Sequence, residues 1–318
     1  MKKLYLVSIL VLMLSMLFFP LAAKGDKTEE PKLPAMGDPF LEEEFAEKKT
    51  FKILRSESGQ IEEMSVEDYL FSVVAAEMPA LYEVEALKAQ TVAAYTYALR
   101  KAESENKEYD LSDDSAIDQA FTPREKVREK WGENADEYEK KLREAIKSVL
   151  YERITYNGKP ILAAYHAISS GKTEKAVDIW GGDYPYLVAI DSVGDKLSPN
   201  YLSTATFTEA ELKEKMSQIV TLSGEAAAWF SDMGKSESGS VLTAVVGGKA
   251  VSGGEIRKAL GLRSSNFDVV YKDGSFTFTV RGYGHGIGMS QYGADYLAGQ
   301  GKNYKEILLH YYPGCVIE

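Results

Sequence analysis

The sequence predicts an α+β protein, and three observations support that fold class. Apolar residues recur at helical spacing over residues 65–102 and again over 134–150. Further along, Asn157-Gly158, Gly247-Gly248 and Asp273-Gly274 each join two short apolar runs, as β-hairpin turns do. The helical and strand patterns are grouped along the chain rather than alternating, which favours antiparallel sheets over parallel βαβ units. We therefore expect helices and antiparallel strands in one globular domain.

Local signals place the individual elements of that domain. A strand is expected over 51–54, and Ser65 with Asp68 forms a capping-box-like pair that opens a helix. That helix should end near Met78, because the following Pro79 disfavours helical geometry in the residue before it. Residues 103–130 are expected to be irregular. Further helices are expected over 82–102, 134–150, a segment opening at Thr208-x-x-Glu211, 223–230, 290–298 and 304–311.

The N-terminus carries an export signal. Lys2-Lys3 precedes Leu4–Ala23, twenty residues without a charge, which is about the length that a bilayer requires. We expect a retained transmembrane anchor over 1–23, although Leu21-Ala22-Ala23 would also serve as a cleavage site. Residues 24–49 contain three prolines and eight acidic residues and are expected to be a flexible linker. In either case the domain over 50–318 lies outside the cytoplasm.

Composition excludes several classes of protein. The 318 residues carry a formal net charge of −11, which argues against a nucleic-acid-binding protein that must neutralise phosphates. A single cysteine cannot form an intramolecular disulfide, and one cysteine with three scattered histidines does not make a structural zinc site.

Glu77 is the strongest candidate for a chemical role. Leu70, Val73, Val74 and Glu77 are spaced i, i+3, i+4 and i+7, so the carboxyl lies on the apolar stripe of its helix. Burial and the negative end of the helix dipole both raise the pKa of such a carboxyl. A carboxyl that keeps its proton is suited to general acid catalysis. The alternative is a helix-end glutamate that turns outward to solvent.

Two further segments carry polar groups. The glycine-rich run 282–293 contains His285 and Gln291, and it predicts either a sugar-binding loop or a tight structural turn around a buried histidine. The run 165–173 contains His166 and Ser169, but without a G-x-S-x-G elbow a serine hydrolase is disfavoured. The three histidines are not at metal-ligand spacing, so no metal site is predicted.

Several motifs in order along the chain resemble one family, that of stage II sporulation protein D, whose relatives include an amidase enhancer. The similarity covers about residues 50–315. Its motifs are Ser65-Val-Glu-Asp-Tyr-Leu, Val74-Ala-Ala-Glu-Met-Pro79, Glu85-Ala-Leu-Lys-Ala-Gln90, Tyr165–Glu174, Asp183-Tyr-Pro-Tyr-Leu187, Leu262-Arg-Ser-Ser-Asn-Phe267, Gly284-His-Gly-Ile-Gly-Met-Ser-Gln-Tyr-Gly-Ala294 and Ile307–Gly314.

The resemblance implies a membrane-anchored lytic transglycosylase of peptidoglycan, acting on glycan strands without stem peptides during engulfment in endospore formation. Such an enzyme cleaves the β-1,4 bond between N-acetylmuramic acid and N-acetylglucosamine with a single catalytic glutamate, here Glu77. An ordinary glycosidase needs a second carboxylate. A lytic transglycosylase instead uses the C6 hydroxyl of the muramic acid and leaves a 1,6-anhydro end. The alternative function is a non-catalytic, glycan-binding enhancer of a cell-wall amidase.

The resemblance also implies substrate-binding positions, partners and a location. The positions are Lys88, Tyr95, Ser169, Ser170, Thr173, Tyr186, His285 and Gln291. Tyr95 replaces an arginine usual in the family, and it carries no charge at neutral pH. The implied partners are the sporulation hydrolase protein P and the membrane scaffold protein M. The implied location is the mother-cell membrane, with the catalytic domain facing the intermembrane space.

Some members of the family bind zinc at a Thr-His-Cys-Gln motif. The corresponding segment here is Ser115-Ala-Ile-Asp-Gln119, which has neither histidine nor cysteine. We therefore expect no zinc and no other cofactor.

Overall fold

The computed structural model describes residues 48–103 and 108–318. Helices pack beside small, mainly antiparallel sheets, which confirms the predicted α+β class. The predicted anchor over 1–23 and most of the predicted linker over 24–49 lie outside the described residues. Within the described ranges, no helix combines the length and the apolar character that crossing a membrane requires.

The first half of the described chain is mainly helical. Its elements are β1 (Thr50–Leu54), β2 (Ile61–Ser65), α1 (Val66–Glu77), α2 (Val84–Ala102), β3 (Leu111–Ser112), α3 (Arg124–Trp131), α4 (Ala135–Ser148), β4 (Ile154–Tyr156), β5 (Lys159–Pro160), β6 (Tyr165–His166) and α5 (Ala176–Trp180).

The second half begins with antiparallel strands and ends with two helices. Its elements are β7 (Leu202–Thr208), α6 (Glu209–Met216), β8 (Phe230–Lys235), β9 (Val241–Val246), β10 (Lys249–Ser252), α7 (Gly253–Leu260), β11 (Phe267–Lys272), β12 (Ser275–Arg281), β13 (Met289–Ser290), α8 (Gln291–Gly299), α9 (Tyr304–Tyr311) and β14 (Val316–Ile317). The sheets have the orders β2-β1-β3, β10-β9-β8, β11-β12-β7, β13-β6 and β14-β4-β5.

The helix that carries Glu77 begins and ends as its sequence predicts. The Ser65 hydroxyl accepts from the backbone N–H of Asp68 at 3.1 Å, which satisfies one of the free N–H groups of the first turn. The helix ends at Glu77, and Met78 is already extended (φ −126°, ψ 144°), consistent with the proline that follows. The side chain of Glu77 therefore projects from the last turn.

The apolar residues form two separate clusters. The larger is built mainly from α1, α2, α4, α8, α9 and β1, and it surrounds the end of α1. The smaller is built from β7–β12 with α6 and α7, and it includes Trp229 stacked on Phe276. Glu77 is the last residue of α1, whose apolar residues belong to the larger cluster.

Some sequence expectations for the elements were wrong. Residues 103–130, expected to be irregular, contain β3 and most of α3, a helix of mainly charged residues in which only Val127 is buried, so the segment has little apolar period. The helix expected over 223–230 is a short 3₁₀ turn, Ala226–Ala228, followed by β8. The three hairpin turns are confirmed, and Asn157 and Asp273 adopt the positive φ that such turns require.

Candidate active site

Glu77 is held by groups that come from distant parts of the chain. The side-chain amide of Gln291 donates to its Oε2 at 3.1 Å, and the backbone N–H of Ala120 donates to its Oε1 at 3.1 Å. Gln291 is the first residue of α8, and Ala120 lies in the loop before α3. The carboxyl is thus fixed in one orientation rather than turned outward to solvent.

The electrostatic setting of Glu77 favours its protonated form. Burial raises the pKa of the carboxyl above its ordinary value, and the hydrogen bonds from Gln291 and Ala120 oppose that rise without cancelling it. Both donors are neutral, so neither stabilises the carboxylate as strongly as a cation would. The site can therefore hold a proton on Glu77 and still stabilise the carboxylate once the proton has left.

A buried set of amides and phenols lies behind Glu77. The Tyr165 hydroxyl donates to Oε1 of Gln119 at 2.6 Å, and Nε2 of Gln119 donates to the Tyr69 hydroxyl at 2.8 Å. On the other side, Nε2 of Gln291 also reaches Oε1 of Gln90 at 3.5 Å. These contacts join four elements around one carboxyl and restrict its movement.

Sequence reasoning did not assign roles to Gln90, Gln119 or Tyr165. Gln90 and Tyr165 stand at the ends of motifs quoted above for the family resemblance, which was the available signal. Gln119 ends the segment that aligns with the zinc motif, and its neighbour Ala120 is the residue that bonds Glu77. Its position beside the carboxyl depends on tertiary folding and could not be obtained from spacing.

An open groove runs past Glu77. Its walls are the end of α1, the turn after it and the facing helices, and its lining residues are Ala75, Ala76, Glu77, Met78, Pro79, Ala80, Leu81, Lys130, Trp131 and Tyr138. Lys141 holds the turn in place by donating to the carbonyl oxygens of Ala80 (2.9 Å) and Tyr82 (2.6 Å). A polymer lying in this groove would pass Glu77, one of its lining residues.

The serine-rich segment 165–174 is bound internally. Asp195, which is fully buried, accepts hydrogen bonds from the backbone N–H and the hydroxyl of Ser169 and from the hydroxyl of Ser290 at 2.7 Å. The Ser170 hydroxyl donates to the carbonyl of Ser238 at 2.8 Å. Ser169 is therefore a structural residue, because both its polar groups are used to join this loop to the start of α8.

The glycine-rich segment is a tight structural turn. Gly288 has a φ of 71°, and a Cβ there would lie 1.9 Å from the carbonyl oxygen of Ala164. His285 accepts a hydrogen bond at Nδ1 from the N–H of Ile287, and its ring lies 4.9 Å from that of Trp180. Burial lowers the pKa of His285 to about 3, so the imidazole is neutral at pH 7. It helps to shape the turn and is not placed against Glu77.

None of the eight expected substrate-binding residues lines this groove, and Tyr95, Tyr186 and Thr173 are buried within the fold. Tyr95 is 1% exposed and packs between the rings of Phe51 and Tyr151, because its position on α2 faces the core. A substrate on the surface cannot reach it. Tyr95 therefore belongs to the core in this structure, and the substrate-binding role that the resemblance implies for it stays a prediction.

Tyr186 and Thr173 are also buried within the fold. The Tyr186 hydroxyl accepts from the N–H of Leu162 at 3.0 Å. The Thr173 hydroxyl donates to the carbonyl of Val188 at 3.0 Å and accepts from the N–H of Ile190 at 2.8 Å. Both side chains join loops of the protein to each other.

Lys88 is partly exposed but is already paired. Its ammonium lies 2.7 Å from Glu85 on the same helix and 5.8 Å from the ring centre of Tyr304. Of the eight expected substrate-binding residues, only Gln291 contacts Glu77. Within the described part of the chain, no cluster of three or more His, Cys, Asp or Glu side chains converges as a metal site would require.

The first comparison with known proteins is with family models. The family model described as stage II sporulation protein matches residues 55–156, a segment that contains Glu77, Gln90 and the loop that bonds Glu77.

Full-length relatives give the family. Stage II sporulation protein D of Bacillus subtilis (strain 168) is 38% identical over 269 residues, which are 83% of this chain and 78% of that protein. The protein of the same name from Bacillus amyloliquefaciens is 37% identical over 83% of this chain and 77% of its own length. The chain therefore belongs to the stage II sporulation protein D family. The amidase enhancer of Bacillus subtilis (strain 168) is 31% identical over 78% of this chain and 40% of that protein.

Proposed function

We propose that this protein is a peptidoglycan lytic transglycosylase in which Glu77 is the only catalytic carboxyl. The observation that supports this most strongly is the setting of Glu77: a carboxyl with a raised pKa, oriented by neutral donors, in the wall of an open groove. The proposed substrate is a glycan strand without stem peptides, cleaved between N-acetylmuramic acid and N-acetylglucosamine.

In the first step Glu77 donates its proton to the glycosidic oxygen. The bond from that oxygen to C1 of the muramic acid breaks, the N-acetylglucosamine leaves as an alcohol, and positive charge develops at C1. The Glu77 carboxylate that results accepts hydrogen bonds from Gln291 and Ala120, which limits the free-energy cost of losing the proton.

In the second step the same carboxylate acts as a base. It takes the proton of the C6 hydroxyl of the muramic acid as that oxygen bonds to C1, so a 1,6-anhydro ring forms and no water is consumed. Glu77 is protonated again at the end of the cycle. The groups that shift its pKa are all neutral among the described residues, consistent with a mechanism that uses no second carboxylate.

Product analysis tests this proposal. The purified full-length chain, kept in detergent, is incubated with denuded glycan strands, and the products are examined by mass spectrometry. We expect 1,6-anhydromuramic ends from the wild type and none above background from Glu77→Gln. Reducing ends without the anhydro ring would contradict the proposal, as would full activity in Glu77→Gln.

A second candidate function is supported by the similarity to the amidase enhancer. In that case the chain binds glycan and stimulates a cell-wall amidase without cleaving strands itself. The two functions separate in one assay: an enhancer leaves strands intact when alone and increases peptide release when an amidase is added, with Glu77→Gln as effective as the wild type.

The place of action is also part of the proposal. The apolar N-terminal run supports a single-span anchor in the mother-cell membrane, with the domain in the intermembrane space. The resemblance supports work with a peptide-stripping hydrolase (sporulation protein P) and a membrane scaffold (sporulation protein M). Membership of a sporulation family is consistent with this location and with these partners.

A further inference from the structure

Part of the lining of the groove is aromatic and consists of Trp131 and Tyr138. Trp131 is the last residue of α3, and Tyr138 lies in the first turns of α4, with only the short turn Gly132–Asn134 between the two helices. The two rings meet edge to face at 5.8 Å, and Trp131 also meets Phe71 at 5.9 Å. This packing fixes both rings while leaving each partly exposed in the groove, an arrangement suited to contact with the apolar face of a sugar ring.

Lys130 lines the same groove and has no ion-pair partner within the part of the chain that the structure describes. The other cations nearby are occupied. Arg124 and Arg128 of the same helix bind Glu139, and Lys141 binds backbone carbonyls. An unpaired ammonium in the groove that Glu77 also lines, in a chain with a net charge of −11, is therefore available for an anionic group of the substrate.

We infer that Lys130, Trp131 and Tyr138 form the subsite that selects N-acetylmuramic acid with a free lactyl carboxylate. This inference rests on the proposed function, because it places the glycan strand in the groove that contains Glu77. In the subsite, the aromatic rings contact the sugar and the Lys130 ammonium pairs with the lactyl carboxylate. A stem peptide converts that carboxylate into an amide and removes the charge, so the pair forms only with a denuded strand.

Binding measured without cleavage tests the subsite. The full-length Glu77→Gln chain in detergent is titrated with denuded glycan strands and, separately, with chitooligosaccharides of equal length, which lack the lactyl group. Adding Lys130→Ala should weaken binding of denuded strands about two- to fivefold, as for an exposed ion pair, and leave chitooligosaccharide binding unchanged. The effect should fade in about 1 M salt, which screens exposed charges.

Lys126 provides the matched control. It is also an exposed lysine on α3 but does not line the groove, so Lys126→Ala should change neither affinity. Trp131→Phe, which keeps an aromatic ring against Phe71, should lower the affinity for both ligands to a similar extent, since both present the apolar faces of sugar rings. A thermal unfolding curve for each variant confirms that it is folded.

The inference is overturned if Lys130→Ala does not change the affinity of the Glu77→Gln chain for denuded strands. It is also overturned if Lys130→Ala lowers the affinities for denuded strands and for chitooligosaccharides equally. The outcome is independent of catalysis. If the wild type makes no anhydro ends but Lys130→Ala weakens binding of denuded strands alone, the proposed reaction is wrong and the subsite is correct. If anhydro ends form without discrimination, the reaction is correct and the subsite is wrong.

Discussion

Glu77, which is partly buried, and Glu139, which is buried, lie in the helical half of the molecule, and their surroundings shift their pKa values in opposite directions. Glu77 accepts hydrogen bonds from a side-chain amide and a backbone N–H, and its pKa is raised by burial. Burial also acts to raise the pKa of Glu139, but hydrogen bonds from Arg124, Arg128 and Arg143 lower it to about 2. The same side chain is thus prepared to exchange a proton in one place and to hold a permanent charge in the other.

The comparison shows how neighbouring groups set the direction in which the pKa of a carboxyl shifts. Glu139 accepts from arginines at 2.7, 2.6 and 2.9 Å and joins α3 to α4, the two helices that carry the aromatic wall of the groove. Its charge is fully compensated, whereas the partners of Glu77 are neutral. A buried carboxyl without a cationic partner costs stability, and such a cost is typical of active sites.

The largest expected effect is on catalysis. Glu77→Gln should lower kcat on denuded strands by about 10²- to 10⁴-fold, because the proton donor and base are lost together. Glu139→Gln should leave kcat of the folded protein within about twofold. Initial rates with equal amounts of folded protein give the comparison, and Glu67→Gln at the other end of α1 is the matched control. A comparable loss in Glu139→Gln would break the proposed division of roles.

The second effect is on stability. Glu139→Gln should lower the free energy of unfolding by about 1–3 kcal/mol, since three arginines lose a charged acceptor in a largely buried position. Those arginines keep some contact with water, which limits the loss. Chemical denaturation measures it. Asp136→Asn, which removes an exposed partner of Arg128, should cost less than about 0.5 kcal/mol.

A third effect concerns the pH dependence of catalysis. Gln291→Met keeps the length of the side chain but removes its hydrogen bond to Glu77, so the pKa of Glu77 should rise further. Because the reaction needs the protonated acid, activity falls as pH rises through that pKa. The alkaline limb of the kcat/KM profile should therefore move to higher pH, with a loss in kcat of about five- to tenfold. A purely structural role for Gln291 would lower the rate without moving that limb.

The smallest effect is the pH dependence of stability. The folded-state pKa of Glu139 is depressed to about 2, so its contribution is complete above the ordinary carboxyl pKa of 4.5 and is lost as pH falls towards 2. The difference in Tm between wild type and Glu139→Gln should therefore be constant from pH 6 to 7 and shrink below about pH 4.5. A difference that stays constant down to pH 2 would show that the arginine contacts do not depend on the charge.

Much of the local structure could be predicted from the sequence. The Ser65 cap, the end of α1 before Pro79 and the three hairpin turns follow from interactions within a few residues, and the structure confirms them. Helix α3 was missed because it buries only Val127, which leaves no apolar period to detect. The burial of Tyr95 agrees with the helical spacing of the small and apolar residues of α2, whereas its substrate-binding role came from the resemblance alone.

The sequence by itself predicted that Glu77 lies on an apolar helical stripe, because helical spacing is a property of the chain alone. Its ordered motifs resemble those of one family for the same reason. Tertiary structure alone decided which groups surround that carboxyl. Ala120 is 43 residues away from it and Gln291 is 214 residues away, and no local pattern shows that both will donate to it. The docking of α8 and of the loop before α3 onto the end of α1 determined the pKa of Glu77, and with it the chemistry that the site can perform.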